Sequence, residues 1–241
     1  AVELMNSRAK MLGMNGTVYT DCTGMGEGNV TTAKDTALLC SELAKYKNLT
    51  PYLTCWLDTV RDGKAELVNL NRLVRTYKGV TGMKAWGSEK AGSCIAATAE
   101  KGDMSVCVVL NGCDSQEDMN AEAKKLLNLA FDTYEIYTPE LPEDMVKETV
   151  VCGGEELSVE LAPKGLYPIV IPRGTYRMVE CDFTAEEKLD APVKNGETAG
   201  EIRYTMGGEV ILEGKIVACK DVKKMNFICG IKKLVYNLLS M

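Results

Sequence analysis

The sequence contains no histidine. That absence removes an imidazole general base, a Ser-His-Asp triad and any histidine-ligated metal site. No Cys-x-x-Cys pair occurs among its 10 cysteines, which leaves zinc-ribbon and thioredoxin-type sites without support. Aromatic residues make up only 6%, and Lys and Arg number 28 against 34 Asp and Glu, for a net charge of -6. The pI is about 5.0. A surface that grips a phosphate backbone needs a basic face, so nucleic acid is excluded as a partner. No apolar run approaches the roughly 20 residues of a membrane-spanning helix. The carboxylates are plentiful but form no ligand-spaced cluster, and neither a metal nor an organic cofactor is implied.

What is present is the composition of a folded protein, 46% hydrophobic and 26% charged over 241 residues, enough for one large domain or two small ones. Val2, Leu4, Met5, Ala9 and Leu12 give the opening a helical period that ends at Gly13. A glycine-rich loop follows. Thr31 or Thr32 then caps a helix running towards Tyr46, with Asp35 in its first turn and Pro51 stopping the stretch. Arg61-Asp62-Gly63-Lys64 reads as a turn. Ser93–Glu100 and Met104–Gly112 read as a hairpin across Lys101-Gly102-Asp103. The nearly continuous apolar character of the second strand places it at the centre of the sheet, buried on both faces. In the helix that follows, Leu126, Leu127, Ala130 and Phe131 form the face that covers the sheet. The cysteines are scattered, several in apolar runs such as those around Cys107 and Cys219, and read as small buried hydrophobes.

Composition changes near Tyr137, where Thr138–Asp144 forms a Pro- and acid-rich linker. Short β-type runs with turn residues follow, including a hairpin signal at Gly207-Gly208, and predict a small antiparallel β-domain of sandwich type. In the tail, Phe227, Ile228, Ile231, Leu234, Val235, Leu238 and Leu239 fall on one helical face and Lys232, Lys233, Asn237 and Ser240 on the other. That amphipathic pattern fits a helix lying on a membrane surface through residues 226–241, or one packed on its own protein. The chain thus divides into residues 1–136, 137–222 and 223–241.

Several phrases, taken in order, resemble the low-molecular-mass penicillin-binding proteins, the serine D-alanyl-D-alanine carboxypeptidases. They are VELMNSRAKMLGM, TTAKDTALL, LVNLNRLV, GVTGMKAWGSEKAGSCIAATAEKGDMSVCVVLNG, LLNLAF, LSVELAPKGLYPIVIPRG and LDAPVKNGETAGEI. The resemblance implies an α/β fold: the C-terminal part of a transpeptidase-like (β-lactamase-like) domain, then an all-β sandwich domain and an amphipathic tail. It also implies an extracytoplasmic place in the cell envelope, peptidoglycan stem peptides or β-lactams as ligands, and no cofactor. The family's chemistry uses three motifs: S-x-x-K with the nucleophile, S-x-N, and a K-T-G strand that receives the substrate. In that strand the lysine attracts the terminal carboxylate, the threonine hydroxyl binds it, and the glycine lets the ligand lie close.

At the third motif this sequence reads Lys84-Ala85-Trp86, then Gly87-Ser88. These five are the substrate-binding positions that the resemblance implies. Lys84 is kept, the hydroxyl is lost at Ala85, and Trp86 puts an indole where the family has no side chain. Gly87 takes the glycine's place only if the strand carries a bulge. A lost hydroxyl and a steric block each weaken binding by ~1–3 kcal/mol. On this alignment the first two motifs fall before Ala1. One S-x-x-K string, Ser7 to Lys10, lies within the chain, but inside a phrase that matches a later helix. Tyr46-Lys47-Asn48 matches a Y-x-N variant in the wrong order. Without the segment bearing the first motifs the sheet needs a second polypeptide, a dimer partner, or a different packing of the first half. Two readings follow: a D-Ala-D-Ala carboxypeptidase, or a non-catalytic cell-wall binding or scaffolding protein derived from one.

Overall fold

A computed structural model of the chain describes residues 1–24, 26, 28–227 and 231. The chain divides into two units, Ala1–Tyr134 and Glu135–Met241.

The first unit opens with helix α1 (Val2–Met11), then α2 (Ala33–Leu43). Thr32 is the cap of α2, its hydroxyl accepting from Asp35 N at 3.1 Å. Asp35 is buried at 5% exposure, and its carboxylate accepts from Gly16 N at 2.8 Å and Thr17 Oγ1 at 2.7 Å. The carboxylate that favours the helix N-terminus therefore also anchors the preceding loop. Pro51 does not end this helix. It lies in the first turn of α3 (Thr50–Leu53), where a missing N–H costs nothing. Strands β1 (Leu57–Val60) and β2 (Ala65–Val68) form a hairpin, turned by Arg61 and Asp62 at φ 57 each, and lead to α4 (Leu73–Thr76).

The sheet that matters for the site comprises β3 (Val80–Ser88), β4 (Gly92–Lys101) and β5 (Met104–Cys113), all antiparallel in the order β3-β4-β5. This corrects the expectation that Met104–Gly112 is central. The middle strand is β4, because β3, β4 and β5 follow one another as antiparallel neighbours and leave β4 between the other two. Ala96, Ala97 and Ala99 are at most 3% exposed, and both α2 and α5 (Gln116–Thr133) pack on β4 and β5. Of the branched residues of β5, Val108 is buried, and Val106, Val109 and Leu110 are half buried. Helix α5 buries Met119, Ala123, Leu127 and Phe131, a strict four-residue spacing down one face. Leu127 and Phe131 cover the sheet as expected, whereas Leu126 is exposed and Ala130 half buried.

The second unit begins with β6 (Tyr134–Tyr137), followed by β7 (Glu148–Cys152), β8 (Ser158–Lys164), β9 (Ile169–Pro172), β10 (Val179–Ala185), β11 (Lys188–Asp190), β12 (Thr198–Met206) and β13 (Glu209–Ala218). Six of them form one sheet in the order β10-β12-β13-β8-β7-β11, and β6 pairs with β9. Strand β8 joins its two parts: Ser158–Glu160 pair with β7 and Leu161–Lys164 with β13. The expectation of an antiparallel domain is corrected in one place, where β11 runs parallel to β7. Gly207 and Gly208, at φ 60 and 83, make the expected tight hairpin between β12 and β13. At Gly200 an added Cβ would sit 2.0 Å from Thr184 O, so only glycine lets β10 and β12 approach there.

Val159, Ile202, Tyr204 and Ile216, each 0% exposed, centre the core of this unit. The Pro- and acid-rich stretch is tied to that core, because Tyr204 OH donates to Glu140 O at 2.9 Å. Burial and a neighbouring thiol, Cys181, push the Tyr204 phenol well above its ordinary range, so it stays a donor. The expected amphipathic helix over 223–241 lies, beyond 227 and apart from 231, outside the described residues. The expectation that the cysteines are buried holds only in part. Cys40 and Cys94 are buried, but Cys22, Cys55, Cys152 and Cys219 are exposed. Cys219 lies just past the end of β13 at Ala218, outside the apolar run that suggested its burial.

Truncating Leu127 to Ala should lower unfolding free energy by roughly 2–5 kcal/mol, whereas Leu126→Ala should change it by less than about 1 kcal/mol. Urea denaturation of the two variants separates the covered face from the exposed one, and equal losses would refute the facing of α5.

Candidate functional site

Strand β3 carries Lys84, Ala85, Trp86, Gly87 and Ser88. Its register on β4 is one-to-one from Gly82 to Ser88: Gly82 opposite Thr98, Lys84 opposite Ala96, Ala85 opposite Ile95, Trp86 opposite Cys94, Gly87 opposite Ser93 and Ser88 opposite Gly92. The irregularity in the pairing falls earlier, between Val80 and Gly82. No bulge therefore slides Gly87 into the position that Trp86 holds.

Side chains alternate along a strand, so Lys84 and Trp86 share one face and Ala85 and Gly87 the other. Lys84 is exposed. Ala85 is 4% exposed, its methyl lost in the core. Trp86 is half buried and rests on a cluster of Cys40, Met83 and Ala96, together with Leu43, Ala44, Leu53, Cys107 and Val109. The indole is thus part of the packing between α2 and the sheet, not a ring standing free in solvent. Gly87 is exposed, and a Cβ there would lie 3.0 Å from Gly92 O. Ser88 accepts from Ala91 N at 3.1 Å and so closes the turn between β3 and β4.

The start of β3 is fixed by two asparagines to which sequence reasoning gave no role. Asn69 Nδ2 donates to Leu53 O at 3.3 Å and Cys55 O at 3.0 Å, while Asn69 Oδ1 accepts from Asn71 N at 2.9 Å. Asn71 is 0% exposed. Its Nδ2 donates to Gly82 O at 3.2 Å and its Oδ1 accepts from Leu73 N at 3.1 Å. One buried amide thereby joins the first turn of α4 to the backbone just ahead of Lys84. The signal was the N-x-N spacing in LVNLNRLV, because asparagine favours bonds to nearby backbone.

The remaining sequence candidates lie elsewhere. Ser7 and Lys10 are both exposed on α1. That helix is held by Arg8, paired with Glu42 at 2.6 Å, and by Asn6, which exchanges hydrogen bonds with the backbone of Tyr19. Lys47 pairs with Glu100, and Tyr46 is exposed, so the Y-x-N string supplies a surface ion pair. Among the described residues no group of His, Cys, Asp and Glu is arranged to hold a metal ion.

Residues 1–114 match the family model described as D-alanyl-D-alanine carboxypeptidase, and residues 131–224 match the model of the penicillin-binding protein 5 C-terminal domain. The chain belongs to the low-molecular-mass penicillin-binding proteins of that carboxypeptidase family. It is 32% identical over 237 residues to the D-alanyl-D-alanine carboxypeptidase DacF of Bacillus subtilis, covering 96% of this chain and 61% of the relative. To DacC of Escherichia coli it is 29% identical over 229 residues, covering 94% and 57%. The chain thus spans about three fifths of the length of these curated relatives. Penicillin-binding protein 5 of Haemophilus influenzae shares its fold at a TM-score of 0.76 and 24% identity, over 92% of this chain and 66% of that one. Penicillin-binding protein D2 of Listeria monocytogenes, solved in a cefotaxime-bound form, matches at a TM-score of 0.50 and 28% identity over 54% of each chain.

Replacing Asn71 by Ala should cost about 1–3 kcal/mol, because Gly82 O and Leu73 N lose a buried partner. Amide hydrogen exchange should locate the damage at β3 and the first turn of α4, and a uniform loss of protection across the sheet would argue against this local role.

Proposed function

We propose that this chain recognises peptidoglycan stem peptides in the bacterial cell envelope without hydrolysing them, as a non-catalytic relative of the D-Ala-D-Ala carboxypeptidases. The observation that carries the reading is the geometry of Lys84, Ala85 and Trp86 on β3. Lys84 keeps a cation at the exposed edge, suited to a terminal carboxylate. Ala85 has no hydroxyl to donate, and its methyl belongs to the core. Trp86 occupies the position where the family's glycine leaves room for the ligand backbone, and its ring is fixed there by the cluster under α2. What remains is an attractive charge without the donors that hold a reacting amide in place.

A second reading, serine-type hydrolysis of terminal D-Ala-D-Ala with β-lactams as inhibitors, is favoured by the collinear identity to DacF along nearly the whole chain. Intact mass spectrometry with excess benzylpenicillin separates the two. The proposed function expects no penicilloyl adduct. It also expects weak binding of a D-Ala-D-Ala-terminated stem peptide, reduced roughly tenfold in Lys84→Ala, by NMR titration of the Trp86 indole. An adduct on this chain would refute the non-catalytic reading and make Ser7 the first serine to replace. Absence of stem-peptide binding would refute recognition itself.

A further inference from the structure

We infer that a cavity beside α4 is a binding site for a peptide that carries a free carboxylate next to an apolar side chain. The cavity has a volume of about 550 Å³, and its walls include Trp56, Val68, Leu70, Arg72, Arg75 and Gln116. No residue of β3 lines it, so the assignment does not rest on the reading of Lys84.

The charge in the cavity is one-sided. Two cations line it and, among the described residues, no carboxylate does. Arg72 stands at the cap of α4 and Arg75 within it, three residues on, so the two share a helical face where like charges repel. Both are exposed, and among the described residues neither guanidinium forms an ion pair. In a chain of net charge -6 this is a concave surface with unmatched positive charge. A bound carboxylate removes the repulsion and accepts from the guanidinium forks.

The site is held in shape before any ligand arrives. Arg75 Cζ lies 5.0 Å from the centre of the half-buried Trp56 ring. That contact positions the cation, and an indole offers no oxygen acceptor, so the N–H donors of Arg75 are left for a ligand. Trp56 is itself fixed, because its backbone O accepts from Asn69 N at 2.9 Å. Asn69 Nδ2 donates to Leu53 O at 3.3 Å and Cys55 O at 3.0 Å, which ties down the chain leading to the indole. A preformed site avoids much of the ordering cost of binding.

The walls identify the class of ligand. A bare inorganic anion would leave most of the cavity to water, each molecule of which takes roughly 30 Å³. Val68 and Leu70 are 51% and 48% exposed, and covering them rewards an apolar group beside the charge. Gln116, at the start of α5, adds an amide that both donates and accepts, as a peptide group requires.

The test follows the indole N–H signals of the two tryptophans, Trp56 and Trp86, in the isotope-labelled full chain by NMR. Trp56→Phe assigns the first signal by removing it. The probes are acetyl-Leu-Glu-amide, acetyl-Leu-Gln-amide and inorganic phosphate. The expected result is a saturable shift of the Trp56 signal with the Glu peptide and an unmoved Trp86 signal. The Gln peptide should bind roughly tenfold more weakly, and Arg72→Gln and Arg75→Gln should each weaken the Glu peptide roughly tenfold. Arg75→Lys keeps the charge but loses the fork, and should restore only part of the affinity. Both arginines are exposed, and an otherwise unchanged amide spectrum shows that each variant is folded. The inference is overturned if the Glu peptide gives no shift up to about 20 mM, well beyond the millimolar affinity of weak ligands. It is also overturned if the two peptides bind equally, if either Gln variant binds as tightly as the parent, or if the Trp86 signal moves instead. A phosphate response as strong as that of the Glu peptide would make the cavity an unselective anion site and overturn the peptide assignment.

Discussion

The arrangement of the first unit depends on the register of β3 against β4, and that register is held at its start by one buried amide. Asn71 spends both ends of its side chain on backbone, Gly82 O on one side and Leu73 N on the other. A buried backbone carbonyl without a partner is costly, so the strand has little freedom to slip there. From that fixed point a two-residue period decides everything downstream: which of Lys84, Ala85 and Trp86 faces the cluster, and which is lost in the core.

The small residues of β4 are the second constraint. Alanine at three positions lets two helices pack closely on a three-stranded sheet, and the cluster around Cys40, Ala96 and Trp86 is the result on the α2 side. The position of β5 at the edge follows from the succession of antiparallel strands, which leaves β4 between its two neighbours in sequence.

Much of this was legible in the sequence. The β4–β5 hairpin, the Thr32 cap with Asp35, the Leu127–Phe131 face and the Gly207-Gly208 turn all rest on local rules, periodicity or turn chemistry, and local rules can be read from neighbours in the chain. The readings that failed rest on tertiary facts. An apolar strand can be central or at an edge, and it is the pairing of Val80–Ser88 on the far side of β4 that leaves β5 at the edge. Pro51 can stop one helix or start another, and a proline in the first turn satisfies both descriptions. The N-x-N spacing of Asn69 and Asn71 signals bonds to nearby backbone, but their partners at Leu53, Cys55 and Gly82 are distant in sequence, so which strand they hold is not legible locally.

At the site itself, resemblance supplied the residues and the structure supplied their facing. Ala85 and Trp86 face opposite ways, one into the core and the other onto the cluster. Yet they have a common physical consequence. A core methyl at Ala85 leaves nothing polar there to satisfy, and a ring packed on Met83, Ala96 and the α2 side chains adds apolar contact where a glycine would leave a gap. Both side chains serve the packing of the strand. Lys84 alone faces solvent and keeps its charge available.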